Sequence, residues 1–116
     1  MIEPLIDPEA WETMKSMTDP AFLVELIDVY LNDSPQLIEQ MRLGLAAGDV
    51  ETVRRAAHSL KSNSASFGAN RLANAARELE MIAKGGNLDG AGIRLEVVEA
   101  EFIRALPVLT ELKNEC

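Results

Sequence analysis

Cysteine is almost absent from this sequence: Cys116, the last residue, is the only one among 116. No intramolecular disulfide can form, so a reducing compartment is the simplest expectation. Histidine is equally scarce, and His58 with Cys116 cannot assemble a His/Cys metal site. Apolar runs stay well short of the roughly 20 residues that span a bilayer. The N-terminus has neither a basic flank nor a signal-peptide core. A soluble, cytoplasmic protein without a membrane partner is therefore expected. A surplus of basic residues is also missing: the formal net charge is −8, which argues against nucleic acid. No Gly-rich loop ends in Lys-Ser or Lys-Thr, and no G-x-G-x-x-G follows a strand, so a nucleotide pocket has no support.

What the sequence does have is helical periodicity along most of its length, with no useful alternation of β-branched and polar residues. Asp7-Pro8 opens a short helix with Trp11 and Met14 on its apolar face. Asp19-Pro20 opens a longer one carrying Leu23, Ile27, Leu31, Ile38, Met41 and Leu45. The stripe stays in phase across Pro35, which predicts one kinked helix and not two. Gly48-Asp49 ends that helix and caps a third, from about Val50 to Phe67, which Gly68 stops. Asn70 caps a fourth, with Leu72, Ala76, Leu79 and Ala83 inward, closed by Gly85-Gly86. A fifth follows the loop 87–90, carrying Leu95, Val98, Phe102, Ala105 and Leu109, with Pro107 near its end. The expectation is an all-α fold, one domain over 1–116: an antiparallel up-down four-helix bundle with a short additional N-terminal helix lying across one end. The five methionines and Trp11 are assigned to the core. No apolar stripe is left over for a partner copy, so a monomer is predicted.

On a wheel of about 100° per residue, Val53, Ala57, Leu60, Ser64 and Phe67 form the core stripe of the third helix. His58 lies about 140° from that stripe and points at solvent. Arg54 and Lys61 flank it one turn either way, with Ser62, Ala65 and Ala69 beside them as small surface residues. Small side chains around a projecting imidazole leave a flat surface that a second protein can approach. Ser64, on the core stripe, is expected to bond the carbonyl of Leu60. If the third and fourth helices turn around 68–70, Glu80 is level with His58 and Arg77 with Lys61. Glu80 would then fix one ring nitrogen and leave the other as nucleophile. Lys61, with Arg54 or Arg77, would offset the charge of a phosphoryl group.

The run His58-Ser59-Leu60-Lys61-Ser62-Asn63-Ser64-Ala65-Ser66-Phe67-Gly68-Ala69 resembles the signature of histidine-containing phosphotransfer (HPt) domains of multistep phosphorelays. That pattern is His-x-Leu-Lys-Gly-Ser-Ser, with Gly-Ala three residues on. Leu79-Glu80 and Asp33-Ser34-Pro35 are similar to further family features, and the likeness extends over essentially the whole chain. Ser62 stands where the family often has Gly, a departure that bears on how closely a partner docks. The resemblance implies a phosphocarrier and not a stand-alone enzyme, with no autokinase activity. His58 would accept a phosphoryl group from an aspartyl-phosphate receiver domain and pass it to another. It implies response-regulator receiver domains and a hybrid sensor histidine kinase as partners, no cofactor of its own, and Mg²⁺ on the partner receiver. The chain looks like a free-standing carrier.

Other readings stay open at this point. An HPt-like bundle that docks a receiver without carrying phosphate would display the same surface. Arg54 and Arg77 read equally well as solvated charges or weak ion pairs, and Glu80 as the partner of a nearby arginine.

Overall fold

A computed structural model describes residues 5–116; the first four residues of the expected domain lie outside the described residues. The Asp-Pro pairs behave as helix starts because each carboxylate accepts from a free backbone N–H while proline occupies a position needing no donor. Asp7 caps α1 (Pro8–Met17), and Asp19 caps α2 (Pro20–Ala47), accepting from the Phe22 amide at 2.9 Å. Gly48, at φ 67°, ends α2, and Asp49 immediately caps α3 (Val50–Ser66) through the Thr52 amide. α4 covers Asn70–Lys84 and α5 covers Ala91–Asn114. Among the described residues there is no strand.

α2 passes through Pro35 and α5 through Pro107 without interruption, as the in-phase stripes require. α3 packs on α2 and α4, and α5 packs on α4 and returns to α2, closing the four-helix bundle. The core draws on every expected stripe: Leu23, Ile27, Met41, Val53, Leu60, Leu72, Leu79, Val98 and Leu109 are all at most 2% exposed. Each such side chain contributes roughly 1.5–3 kcal/mol relative to an exposed position.

Three local expectations need correction. Ala69, and not Asn70, occupies the N-cap position of α4, and no side chain caps that helix. Ser64 pairs with the Tyr30 hydroxyl at 2.7 Å in place of the expected Leu60 carbonyl. That bond joins α2 to α3, with the Tyr30 ring 4.8 Å from Phe67, and burial pushes the Tyr30 hydroxyl up to about 12. The methionines divide: Met41 is core and Met14 half-buried, but Met17 and Met81 are 79% and 57% exposed. Met1 lies outside the described residues. Flexible thioethers fit either environment, so composition alone misplaces them.

Helix α1 is anchored where α3 turns into α4. The Asp7 amide donates to the Gly68 carbonyl at 2.7 Å, and Gly68 itself sits at φ 74°. A Cβ there would come within 2.8 Å of the Ala10 Cβ and 3.1 Å of the Asp7 carbonyl oxygen. Conformation and close approach both demand glycine. Gly68→Ala should destabilise the protein by about 2 kcal/mol or more, measured as a lower urea midpoint with unchanged slope.

Candidate functional site

His58 follows Ala57, a fully buried member of the α3 stripe, and so projects outward; its side chain is 56% exposed. Glu80 follows Leu79 on α4 in the same manner, but it turns toward α3 and is only 2% exposed. α3 and α4 pack closely against each other, and α4 carries buried Ala73, Ala76 and Ala83 on the same stripe as Glu80, short side chains that allow helix axes to approach closely. The Glu80 carboxylate thus reaches under the imidazole. Its Oε2 lies 2.6 Å from His58 Nδ1, and its Oε1 accepts from Lys61 Nζ, also at 2.6 Å.

Burial alone would push the Glu80 carboxyl up; hydrogen bonds from Lys61 and His58, with the Lys61 charge, outweigh it and hold it below the usual carboxylate range. Glu80 is therefore an anion at neutral pH. An anionic oxygen against Nδ1 selects the neutral-ring tautomer with its proton on that nitrogen. Nε2 then keeps its lone pair, on a ring that is more than half exposed.

The other expected site residues separate into those near this triad and those apart from it. Arg54 is held by Glu51, which Arg55 also contacts; hydrogen bonds from Arg54, then Arg55, bring the Glu51 carboxyl to about 2. Arg77 is exposed and forms no ion pair among the described residues. Ser62 and Ala65 are exposed beyond Lys61, and Ser66 Oγ donates to the Ser62 carbonyl at 3.1 Å. Ala69 is fully buried, which overturns its expected place on the surface. The helical wheel fails there because α3 ends at Ser66 and the left-handed Gly68 redirects the chain inward.

One participant escapes the motif. Lys84 Nζ stands 3.9 Å from Glu80 Oε2, with its side chain 59% exposed. Its only sequence signal is the four-residue spacing from Glu80, which places both on one face of α4. Also unforeseen is a groove of about 360 Å³ between α1, α2 and α3, lined by Met14, Leu26, Val29, Tyr30 and Phe67 among others. In the sequence Met14 and Phe67 read as core, and Leu26, Val29 and Tyr30 have no assigned role; His58 does not line the groove.

The helical bundle thus displays one histidine whose exposed ring is gripped from below by a buried carboxylate. The Hpt domain family model matches residues 25–114, and the chain belongs to that family. It is similar to the crystal structure of histidine-containing phosphotransfer protein B (HptB) from Pseudomonas aeruginosa PAO1. The TM-score is 0.91 at 28% identity, covering 99% of each chain. A rice protein provisionally described as a histidine-containing phosphotransfer protein shares the fold, with a TM-score of 0.83 at 22% identity over 95% of this chain and 80% of that one. No curated protein matches. No helix among the described residues is long and apolar enough to cross a membrane.

Acid titration reads the Glu80 contacts directly. The folded-state value lies below that of the unfolded chain, so the stabilisation is complete above about 4.5 and is lost as pH falls through the lowered value. Glu80→Gln should be less stable than wild type by about 1–3 kcal/mol at neutral pH. The gap should narrow on acidification below about pH 4.5, as measured by urea unfolding at each pH.

Proposed function

We propose that this protein carries a phosphoryl group on His58, taken from the aspartyl phosphate of one response-regulator receiver domain and delivered to another. The observation that carries the reading is the 2.6 Å contact between Glu80 and His58 Nδ1 on an otherwise exposed ring. Family membership and the likeness to HptB support it.

The Nε2 lone pair attacks phosphorus in line with the carboxylate leaving group. The N–P bond forms as the P–O bond to the partner's aspartate breaks, and the aspartate departs as a free carboxylate. The ring then bears a formal positive charge, since Nδ1 keeps its proton. Glu80, already anionic and 2.6 Å away, stabilises that charge without reorganising. The reverse step loads the second receiver. Transfer of this kind depends on positioning and electrostatics more than on covalent machinery, so a rigid helix presenting one imidazole suffices on this side. On this reading the receiver brings the Mg²⁺, and a hybrid sensor histidine kinase stands at the upstream end of the relay. Exposed Ser62 and Ala65 leave room for the receiver's approach beside His58.

Radiolabelled phosphate supplied from a phosphorylated receiver domain tests this. Wild type should acquire acid-labile, alkali-stable label and His58→Gln none. Receivers that bind wild type without ever labelling it would replace the carrier with a docking module.

A further inference from the structure

Lys61 has two demands on it. In the resting protein its ammonium is committed to Glu80 Oε1 at 2.6 Å, yet it is also the cation one turn from the accepting imidazole. It cannot serve the incoming phosphoryl group fully while it neutralises Glu80. If it leaves, the carboxylate, whose side chain is 3% exposed, keeps the His58 ring on Oε2 but has no donor on Oε1, and an under-satisfied buried charge is destabilising.

Lys84 answers this difficulty. Its Nζ stands 3.9 Å from Glu80 Oε2, too far for a hydrogen bond but close enough to reach one by a small side-chain movement. The side chain is 59% exposed and makes no other ion pair among the described residues, so nothing there restrains it. Among the described residues, His58, Lys61 and Lys84 are the cationic or protonatable groups within 4 Å of the carboxylate, and of these Lys84 alone makes no hydrogen bond to it. Salt bridges of this length at an exposed end contribute little to stability, so resting-state stabilisation does not account for the placement.

We propose that Lys84 is a positioning residue that exchanges with Lys61. As the phosphoryl group arrives on His58, Lys61 swings from Glu80 toward the phosphoryl oxygens, and Lys84 closes on Glu80 in its place. The carboxylate stays paired throughout and keeps its hold on Nδ1. No covalent bond is made or broken in the exchange. The proposal rests on the carrier reading and adds to it a division of labour between two lysines.

The test is single-turnover transfer from a phosphorylated receiver at saturating and subsaturating concentration, in wild type, Lys84→Gln and Lys84→Arg, each also in a Lys61→Gln background. Lys84→Gln should lower the saturated rate by about tenfold, leave the half-saturating receiver concentration unchanged, and be rescued by Lys84→Arg. In the Lys61→Gln background the same substitution should have no further effect, because no lysine remains to be released. An undiminished effect in that background, or a change confined to half-saturation, would make Lys84 a docking residue and overturn the exchange. A normal rate for Lys84→Gln would overturn it too, while label on wild type left the carrier reading standing. Absence of label on wild type would remove both.

Discussion

A carboxylate that is almost completely buried yet remains ionised has to be surrounded by donors, and that requirement at Glu80 organises the site. Hydrogen bonds from Lys61 and His58 outweigh the desolvation that pushes its carboxyl up. The same contacts set the imidazole tautomer and its orientation, and they hold Lys61 one turn away. Removing the carboxylate would leave an exposed histidine free to rotate. Removing the cations would leave a buried anion with no partner.

The rest of the fold serves to hold α3 and α4 at one height. A one-residue slip would rotate Glu80 by about 100° away from the ring. Three features oppose such a slip. Gly68 makes a turn that other residues reach only with strain, and the start of α1 is hydrogen-bonded across it. The Tyr30–Ser64 bond fixes α3 against α2 from the opposite side. Short alanines on the Glu80 stripe of α4 allow the two backbones to lie close. Stability and site geometry are thus linked: the core sets where Nε2 points.

Much of this was legible in the sequence, for reasons that differ by residue. Helix starts at Asp7, Asp19 and Asp49 were readable because capping is local chemistry, and α2 through Pro35 because periodicity survives a proline. The Glu80–His58 pairing followed from counting outward from the turn. Ala69 was misplaced because wheel arithmetic holds only within a helix, and the helix had already ended. Ser64 found Tyr30 across the bundle because a partner 34 positions away in sequence leaves no local signature. Lys84 had only its four-residue spacing from Glu80 as a signal, which says nothing of the rotamer that brings it near, and the groove beside Met14 lies between helices, where no one-dimensional pattern reaches.

The account turns on which ring nitrogen is free to react, and long-range ¹H–¹⁵N correlation NMR of the phosphorylated, ¹⁵N-histidine-labelled protein reads it directly. With a single histidine in the chain, the spectrum contains one imidazole to assign. The Glu80 contact predicts phosphorus on Nε2 and a proton retained on Nδ1. Phosphorus on Nδ1 would contradict it, since that nitrogen could then no longer donate to Glu80.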